Sequence, residues 1–331
     1  MTRRETAERP EAGGCGHALW FDAPRRCAVK QETIAPEGDV LVRTLFSGIS
    51  RGTESLVFGG KVPESEYERM RAPHQAGEFP FPVKYGYAAV GLVEEGPERL
   101  AGRTVFCLHP HQDRFRVPAS AVHVLPETLP PQRAVLAANM ETALNIVWDA
   151  GIQPGDRVAV FGAGVVGLLV ARLATSVIGT DVVISDIEPE RAHIAAALGL
   201  TFSSPDEVPN DCDVLINASA SSEALTTALD RAGFEARIVE ASWYGERYAH
   251  LPLGGAFHAK RLSIVSSQVA ALPPGRRARW DTDRRMAKAL ELLADDRFDI
   301  LISGETPFET IVKDYAGIIG SSATLCHRIS Y

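Results

Sequence analysis

The sequence predicts an α/β protein in which a mostly β segment precedes a doubly wound parallel sheet. Short β-like runs separated by Pro and Gly fill residues 18–126, and strands alternate with helices from residue 132 onward. Between Arg157 and Arg191, a predicted strand leads into a glycine-rich turn, a helix and a second strand that ends in an acid. With 331 residues, the chain is long enough to bury two cores.

The first segment follows a charged, Gly-rich stretch. Residues 1–16 contain no apolar run typical of a signal peptide, and we expect them to form a flexible tail. Beyond this tail, β-like runs at residues 40–45 and 90–94 alternate with turns rich in Pro and Gly. This pattern predicts a mostly β domain.

The second segment alternates between helical and strand patterns. Helices are predicted at residues 133–150, 165–175, 189–198, 223–231 and 286–294, and strands at residues 157–161, 182–185, 214–218, 237–240, 262–265 and 325–331. Such alternation is typical of a parallel sheet that is covered by helices on both faces.

The glycine-rich turn has the spacing of a dinucleotide site. Gly162 allows a tight turn, Gly164 lets the backbone approach a pyrophosphate, and Gly167 permits close packing of the following helix. The N-terminal amides and the dipole of that helix would face the phosphates. Because the strand, the glycines, the helix and the final acid occur in register, the segment predicts a dinucleotide-binding fold.

The acid at the end of the second strand indicates which coenzyme is used. Asp186 can accept hydrogen bonds from a ribose 2′-hydroxyl but would repel a 2′-phosphate, so the sequence favours NAD over NADP. Arg191 is the nearby cation. It is placed to contact the adenosine side of NAD, or to lie on a solvated helix face.

Composition argues against several other classes of protein. The net charge of −8 and the absence of a basic stripe with interleaved aromatics argue against a nucleic-acid partner. The five cysteines are scattered without a Cys-x-x-Cys pair, so we expect neither a disulfide framework nor a cysteine zinc site, and a reducing cytoplasm fits. No apolar run is long enough to span a bilayer, so no membrane partner is expected.

Three motifs outside the glycine turn carry a family resemblance. They are SGISRGTE at residues 47–54, YGYAAVG at residues 85–91, and a helix at residues 136–147 ahead of QPGD. With these motifs the chain resembles the medium-chain dehydrogenase/reductase superfamily. The resemblance implies a GroES-like, mostly β substrate domain of residues 17–135 and 272–331, a Rossmann NAD-binding domain of residues 136–271, and an active site in the cleft between them.

The chain departs from that family at the positions of the catalytic zinc ligands. Zinc-dependent members carry a cysteine where this chain has Ser50, a histidine at Tyr87, usually a glutamate at Ala88, and a third ligand near Ala138. Since a catalytic zinc needs three protein ligands, we expect no metal. Within the family, SGISRGTE and the tyrosine most resemble the bacteriochlorophyllide a dehydrogenase branch, which implies a zinc-free oxidoreductase of secondary alcohols and ketones.

Without a metal, a side chain must transfer the proton that accompanies hydride transfer. Tyr87 is the first candidate, because it occupies the position of a family metal ligand that faces the reacting oxygen. His109 and His111 follow, since they would titrate near neutrality if the cleft exposes them. Glu141, on the helix beside the coenzyme, is the fourth candidate.

The resemblance also implies further contacts to the coenzyme. Arg51 would reach the pyrophosphate from the β domain. Thr142 matches a position beside the nicotinamide, and Val166 matches one that packs against the ring. Two aromatics at residues 243 and 244 lie near the nicotinamide or the substrate entrance and suit a bulky substrate.

Three functions remain open at this stage. The first is an NAD-dependent oxidoreductase acting on a small-molecule secondary alcohol or ketone with a bulky body. The second is a quinone or enoyl reductase, for which NADPH is usual and Asp186 is unfavourable. The third is a nucleotide-binding sensor without turnover. We expect the protein to be a cytoplasmic homodimer.

Overall fold

A computed structural model describes residues 14–331, so most of the predicted tail lies outside the described residues. The first segment is mostly β. Its strands are β1 (Cys15–Ala23), β2 (Arg26–Thr33), β3 (Val40–Ser50), β4 (Ala76–Gly77), β5 (Val83–Lys84), β6 (Ala89–Glu95), β7 (Thr104–Cys107), β8 (Arg114–Val117) and β9 (Val122–Val124). Its helices are α1 (Arg51–Phe58), α2 (Pro131–Ala134) and α3 (Ala137–Ala150), the last of which leads into the second segment.

The second segment has the predicted alternation of strand and helix. Its strands are β10 (Arg157–Phe161), β11 (Asp181–Ser185), β12 (Thr201–Ser203), β13 (Cys212–Asn217), β14 (Ala232–Glu240) and β15 (Ser263–Ser266). The helices between them are α4 (Val165–Ala174), α5 (Arg191–Ala197), α6 (Ser222–Arg231) and α7 (Ala256–Ala259). The chain continues through α8 (Thr282–Leu292), β16 (Ile302–Pro307), α9 (Ile311–Gly320) and β17 (Cys326–Ser330).

The six strands β10–β15 form one parallel sheet in the order β12-β11-β10-β13-β14-β15. In order of appearance this is 3-2-1-4-5-6, the doubly wound order in which the direction of winding reverses between β10 and β13. Crevices at such a reversal, beyond the carboxyl ends of the strands, are where ligands bind. The predicted α/β class, with a mostly β part beside a parallel Rossmann-type sheet, is confirmed.

The last strands of the chain return to the first segment. β17 pairs antiparallel with β3, and β16 pairs with β17, so residues 302–330 extend the sheet β16-β17-β3-β6-β7-β9. A smaller sheet, β2-β1-β5-β4, packs beside it. Helix α9 buries Tyr315 against Phe21 and Phe58, with ring centroids 5.2 and 5.0 Å apart. The β segment is therefore completed by residues from the far end of the sequence.

The turn from β10 into α4 is as tight as the glycine spacing predicts. Gly162 has a φ of +101°, which favours glycine, and a Cβ at Gly167 would lie 1.9 Å from the carbonyl oxygen of Gly162. Nothing lies within 4 Å of a Cβ built at Gly164. The turn thus brings the helix against the strand and leaves open space beside its middle glycine.

The largest core joins α3, α4 and α8. Met140 of α3, Leu168 of α4 and Met286 of α8 belong to one buried cluster under the parallel sheet. A second cluster lies within the β segment and includes residues of α1 and α9. Within the described residues, no helix is both long and apolar enough to cross a membrane.

Candidate functional site

Asp186 lies at the carboxyl edge of the parallel sheet and faces the glycine turn. Its Oδ2 accepts a hydrogen bond of 2.6 Å from the Ala163 amide, and its Oδ1 accepts one of 3.0 Å from the Glu188 amide. The Gly162 amide donates to the carbonyl of Ser185 at 2.8 Å. The acid at the end of β11 therefore holds the glycine turn in place with its own carboxylate.

Arg191 lies within reach of the charges of Asp186 and of Arg51. Arg191 is buried at the start of α5, and its guanidinium donates to the carbonyl of Ser322 in the loop before β17. Burial lowers the pKa of Arg191, the charge of Asp186 raises it, and the charge of Arg51 lowers it. Arg51, from the β segment, therefore lies near enough to act on the same group. The alternative that Arg191 lies on a solvated helix face is wrong.

Thr142 and Val166 lie on helices that border the same edge. The Thr142 hydroxyl donates within α3 to the carbonyl of Ala138 at 2.9 Å. Val166 is half-buried in the first turn of α4 and packs against the largest core. These contacts neither support nor contradict the prediction that the two residues lie beside a nicotinamide.

These residues fit a dinucleotide. The space beside Gly164 is open to a backbone approach, and the N-terminal amides of α4 point toward it. Asp186 supplies carboxylate oxygens on the strand next to the turn, and Arg51 and Arg191 supply positive charge nearby. A phosphate group at this edge would accept hydrogen bonds from the amides of α4, and the two guanidinium groups would add positive charge nearby.

Tyr87 lies in the connection between β5 and β6, half-buried and with its ring 6.0 Å edge-on from Tyr85. Burial first and the charge of Glu54 second raise the pKa of Tyr87, hydrogen bonds with the Ser50 and Thr53 side chains lower it, and the net value is about 12. The phenol is therefore neutral at physiological pH. It can therefore act as a proton donor.

Both candidate histidines are buried, so the expectation that the cleft exposes them is not met. The ring of His109 is stacked on Phe115 with centroids 3.7 Å apart, and its Nδ1 donates to the carbonyl of Pro110 at 3.0 Å. Burial lowers the pKa of His109 well below its ordinary value. His111 is fully buried, with Nε2 3.0 Å from Glu54 Oε2 and Nδ1 2.8 Å from Ser47 Oγ.

Glu141 is held by a buried arginine of α8. Arg285 donates to Glu141 Oε1 at 3.0 Å, to Asn145 Oδ1 at 2.5 Å and to the carbonyl of Val269 at 2.6 Å. Burial raises the pKa of Glu141, whereas the charge and hydrogen bond of Arg285 lower it. An ionised Glu141 in this pair connects two helices, and proton transfer from it would break the pair.

A narrow cavity of about 180 Å³ opens beside Glu141, between the β segment and the helices α3 and α8. Burial lowers the pKa of His74 and His123 on its β side, so both imidazoles are neutral there. Neutral imidazole offers one donor and one acceptor, which suits hydroxyl or carbonyl groups. Asp283 adds a carboxylate on the opposite wall.

The positions of the family's zinc ligands carry oxygen and methyl groups. Ser50 and Tyr87 face each other, and Asn139 Nδ2 of α3 is 3.4 Å from Ser50 Oγ. Ala88 and Ala138 offer no ligand atom beyond the backbone. In the described part of the chain, no three or more His, Cys, Asp or Glu side chains cluster closely enough to hold a metal ion. This donor set does not fit a catalytic zinc.

A second polar cluster lies at the carboxyl ends of β13 and β14. Asn217 Nδ2 donates to Glu240 Oε2 at 2.7 Å and to the Tyr244 hydroxyl at 3.1 Å. Burial raises the pKa of Glu240. Trp243 packs against the core of the β segment, and a Cβ at Gly245 would lie 2.9 Å from the carbonyl of Lys61. The loop after β14 therefore closes one side of the cleft.

Glu54 lies in the SGISRGTE motif, but the sequence did not identify it as a site residue. Glu54 is 0% exposed and lies on the same face of α1 as the buried Val57 and Phe58. The sequence feature that could have identified it is a carboxylate on the apolar face of a short helix. The partners that make this carboxylate tolerable, His111 and Tyr315, come from distant parts of the sequence.

The chain is 26% identical to L-galactonate-5-dehydrogenase of Escherichia coli (strain K12) over 337 residues, which cover 90% of this chain and 94% of that protein. It is 24% identical over 208 residues to (R,R)-butanediol dehydrogenase of Bacillus subtilis (strain 168), covering 54% of this chain and 59% of that protein. No protein-family model matches the chain.

Solved structures share the fold. L-idonate 5-dehydrogenase of Escherichia coli superimposes with a TM-score of 0.80 at 15% identity, covering 97% of this chain and 99% of the other. The alcohol dehydrogenase rspB of Escherichia coli CFT073, complexed with NADH, gives a TM-score of 0.77 at 17% identity, covering 96% and 99%. A Sinorhizobium meliloti dehydrogenase bound to NADP gives 0.76 at 18% identity, covering 96% and 100%.

We expect Arg285→Met to lower the free energy of unfolding by about 3–5 kcal/mol, because it leaves the buried carboxylate of Glu141 without its cation. The double variant Glu141→Leu/Arg285→Met should lose less, since it removes both charges. Arg261→Ala is the control: its pair with Glu235 is exposed and worth about 1 kcal/mol or less. Urea denaturation measures all three. An Arg285→Met loss no larger than that of Arg261→Ala would contradict the expectation.

Proposed function

We propose that this chain, whose relatives support its place in the medium-chain, zinc-type alcohol dehydrogenase-like superfamily, is a zinc-independent, NAD(H)-dependent oxidoreductase that interconverts a secondary alcohol and a ketone on a bulky substrate. One observation carries the proposal: a neutral phenol, Tyr87, occupies a ligand position of the family's zinc, on the β side of a dinucleotide edge. Relatives named as dehydrogenases and reductases support the reaction class.

NAD supplies the hydride acceptor, at C4 of its nicotinamide, when it is bound. The amides at the start of α4 would hold its phosphates, and Arg51 would add positive charge from the β side. Asp186 would accept hydrogen bonds from the adenosine ribose, which supports NAD over NADP. The loop after β14, with Trp243 and Tyr244, would exclude water from one side of the cleft.

Tyr87 would move the proton. In ketone reduction, the carbonyl carbon gains a hydride, and the phenol gives its proton to the oxygen as the oxygen gains negative charge. In alcohol oxidation, the phenolate takes that proton back. The hydroxyls of Ser50 and Thr53 face the phenol and would orient it toward the cleft. No step requires a metal to polarise the oxygen.

The branch of the family that the SGISRGTE motif resembles suggests a hydroxyethyl group on a large ring as one substrate class. The curated relatives are named for galactonate, xylulose and butanediol, which suggests smaller hydroxylated substrates as another. A substrate panel for this protein should therefore contain hydroxyethyl-substituted aromatic macrocycles and pterins together with sugar acids and diols.

We expect Tyr87→Phe to lower kcat by about 10²–10⁴ while leaving NADH affinity nearly unchanged, because in this proposal the phenol contacts the substrate and not the coenzyme. Tyr248→Phe, at a tyrosine that is 86% exposed, is the control and should behave as wild type. Turnover with NAD and the alcohol panel measures both. If Tyr87→Phe kept full activity and a His109 or His111 variant lost it, that histidine would be the proton-transfer residue. Turnover of quinones or enones without alcohol oxidation would support the reductase alternative.

Metal content tests the zinc-independent part of the proposal. We expect the purified protein to carry no stoichiometric zinc, and strong chelators to leave both turnover and melting temperature unchanged, because Ser50, Tyr87 and Ala138 stand where ligands are needed. A zinc-containing dehydrogenase treated in parallel provides the positive control. This part of the proposal would be wrong if elemental analysis found about one zinc per chain and chelators removed the zinc together with the activity.

Coenzyme preference tests the role of Asp186. We expect NADH to bind more tightly than NADPH, and Asp186→Ala to weaken NADH binding by about tenfold, which is the value of one hydrogen bond to a charged group. Asp186→Asn keeps an acceptor for the Ala163 amide and should mainly relieve repulsion of the 2′-phosphate. Asp181→Asn, at the exposed start of the same strand, is the control. A wild type that prefers NADPH in fluorescence titration would contradict the assignment.

A further inference from the structure

A buried carboxylate lies behind Tyr87 and has no role in the proposed reaction so far. Glu54 is completely buried on α1, where a charge is tolerated only if hydrogen bonds compensate for the lost water. Its Oε1 accepts from the Ser50 amide at 2.7 Å, and its Oε2 accepts from the Tyr315 hydroxyl at 2.6 Å. His111 Nε2 lies 3.0 Å from the same Oε2.

These contacts continue as a connected series. The ring of His111 lies between Glu54 and Ser47, with Nε2 facing the carboxylate and Nδ1 2.8 Å from Ser47 Oγ. Ser47 Oγ in turn lies 2.9 Å from the Tyr331 hydroxyl. Each polar side-chain atom of Glu54, His111 and Ser47 has a partner in this series, so the carboxylate is held in one orientation.

Glu54 reaches Tyr87 in two ways. Its bond to the Ser50 amide fixes the end of β3 beside the segment that carries Tyr87, where the Gly48 amide donates to the carbonyl of Ala88 at 2.9 Å. The Ser50 and Thr53 side chains there lower the pKa of the phenol. Its charge also acts on the phenol directly. Burial comes first and Glu54 second among the causes that raise the pKa of Tyr87.

The titratable groups around this pair are phenols, one thiol and the imidazole of His111. Those that face the phenol besides Glu54 are Tyr85, Tyr315 and Cys326, and those that face Glu54 are His111, Tyr85, Tyr87, Tyr315, Tyr331 and Cys326. Burial raises the pKa of Cys326 to about 12 and that of Tyr85 well above its ordinary value, so both stay neutral. Within residues 14–331, the basic side chain that contacts Glu54 is the imidazole of His111.

We propose that Glu54 is a positioning residue for proton transfer: it fixes the end of β3 at Ser50 beside the segment that carries Tyr87 and supplies the negative charge that the phenol meets when it gives up its proton. The proposal rests on the proposed function, in which Tyr87 is the proton donor. His111, Ser47, Tyr315 and Tyr331 hold the carboxylate in place and do not contact the substrate.

The first test follows the ionisation of Tyr87 in the coenzyme-free protein, as the near-ultraviolet phenolate signal that disappears when Tyr87→Phe is added to each variant. Removing a negative charge favours the phenolate and lowers its pKa. Glu54→Gln should therefore move the titration to lower pH by about one to three units. Glu64→Gln, at an exposed carboxylate in the turn after α1, is the matched control and should leave the titration unchanged.

The second test distinguishes the effect of the Glu54 charge from the effect of its side-chain length. In NADH-dependent ketone reduction, the basic limb of kcat should move to lower pH in Glu54→Gln by the same amount as the titration. Glu54→Asp keeps the charge but shortens the side chain, so the titration should stay high while kcat falls about tenfold to a hundredfold with KM nearly unchanged. This variant also decides the matter if Glu54→Gln does not fold.

Two results would overturn the inference: a Tyr87 titration that is the same in Glu54→Gln and wild type, or a Glu54→Asp enzyme with the kcat of wild type. Failure of the proposed function gives a different pattern. If Tyr87→Phe keeps wild-type turnover, Tyr87 is not the proton donor, whereas the titration of the coenzyme-free protein still reports whether Glu54 controls the phenol.

Discussion

Removing a carboxylate from water is costly, and two carboxylates at the cleft, Glu54 and Glu141, constrain much of what surrounds them. Glu141 is paired with the buried guanidinium of Arg285, which ties α3 to α8. Glu54 is surrounded by donors that carry no permanent charge, one from the end of β3, one from the loop after β7, and Tyr315 from α9. The return of the last helix and strands to the first sheet is what makes Glu54 tolerable inside the protein.

The parts of the fold that depend on backbone sterics could be predicted from the sequence. The clash of any side chain at Gly167 with the carbonyl of Gly162 is local, so glycine spacing after a strand carries the whole signal. The parallel pairing of the sheet follows from the alternation of strand and helix, because parallel neighbours need a crossover connection. Asp186 faces the turn as expected, because the carboxyl ends of adjacent parallel strands meet at one edge.

The environment of the site could not be predicted in the same way, because burial depends on contacts between distant residues. His109 follows a strand and could have faced the cleft, yet it stacks on Phe115 across the small β core. His111 is fixed by Glu54, 57 residues earlier in the chain. Glu141 was placed on the correct helix, but the sequence gives no sign that Arg285, 144 residues later, is its partner. The residue types were visible, whereas their protonation and orientation were not.

Ser50 and Tyr87 stand where zinc-dependent dehydrogenases have metal ligands. A side chain must then supply the proton that accompanies hydride transfer. A metal would polarise the substrate oxygen at any pH, whereas a phenol with a pKa raised to about 12 is an acid at neutral pH and scarcely a base. The buried charge of Glu54 strengthens this bias, since it opposes formation of the phenolate. Under the proposed function, proton transfer therefore supports ketone reduction at neutral pH, and alcohol oxidation gains as pH rises. Under that proposal, the arrangement around Tyr87 sets the pH range in which each direction is catalysed, through electrostatics within the β segment and independently of how the coenzyme is held.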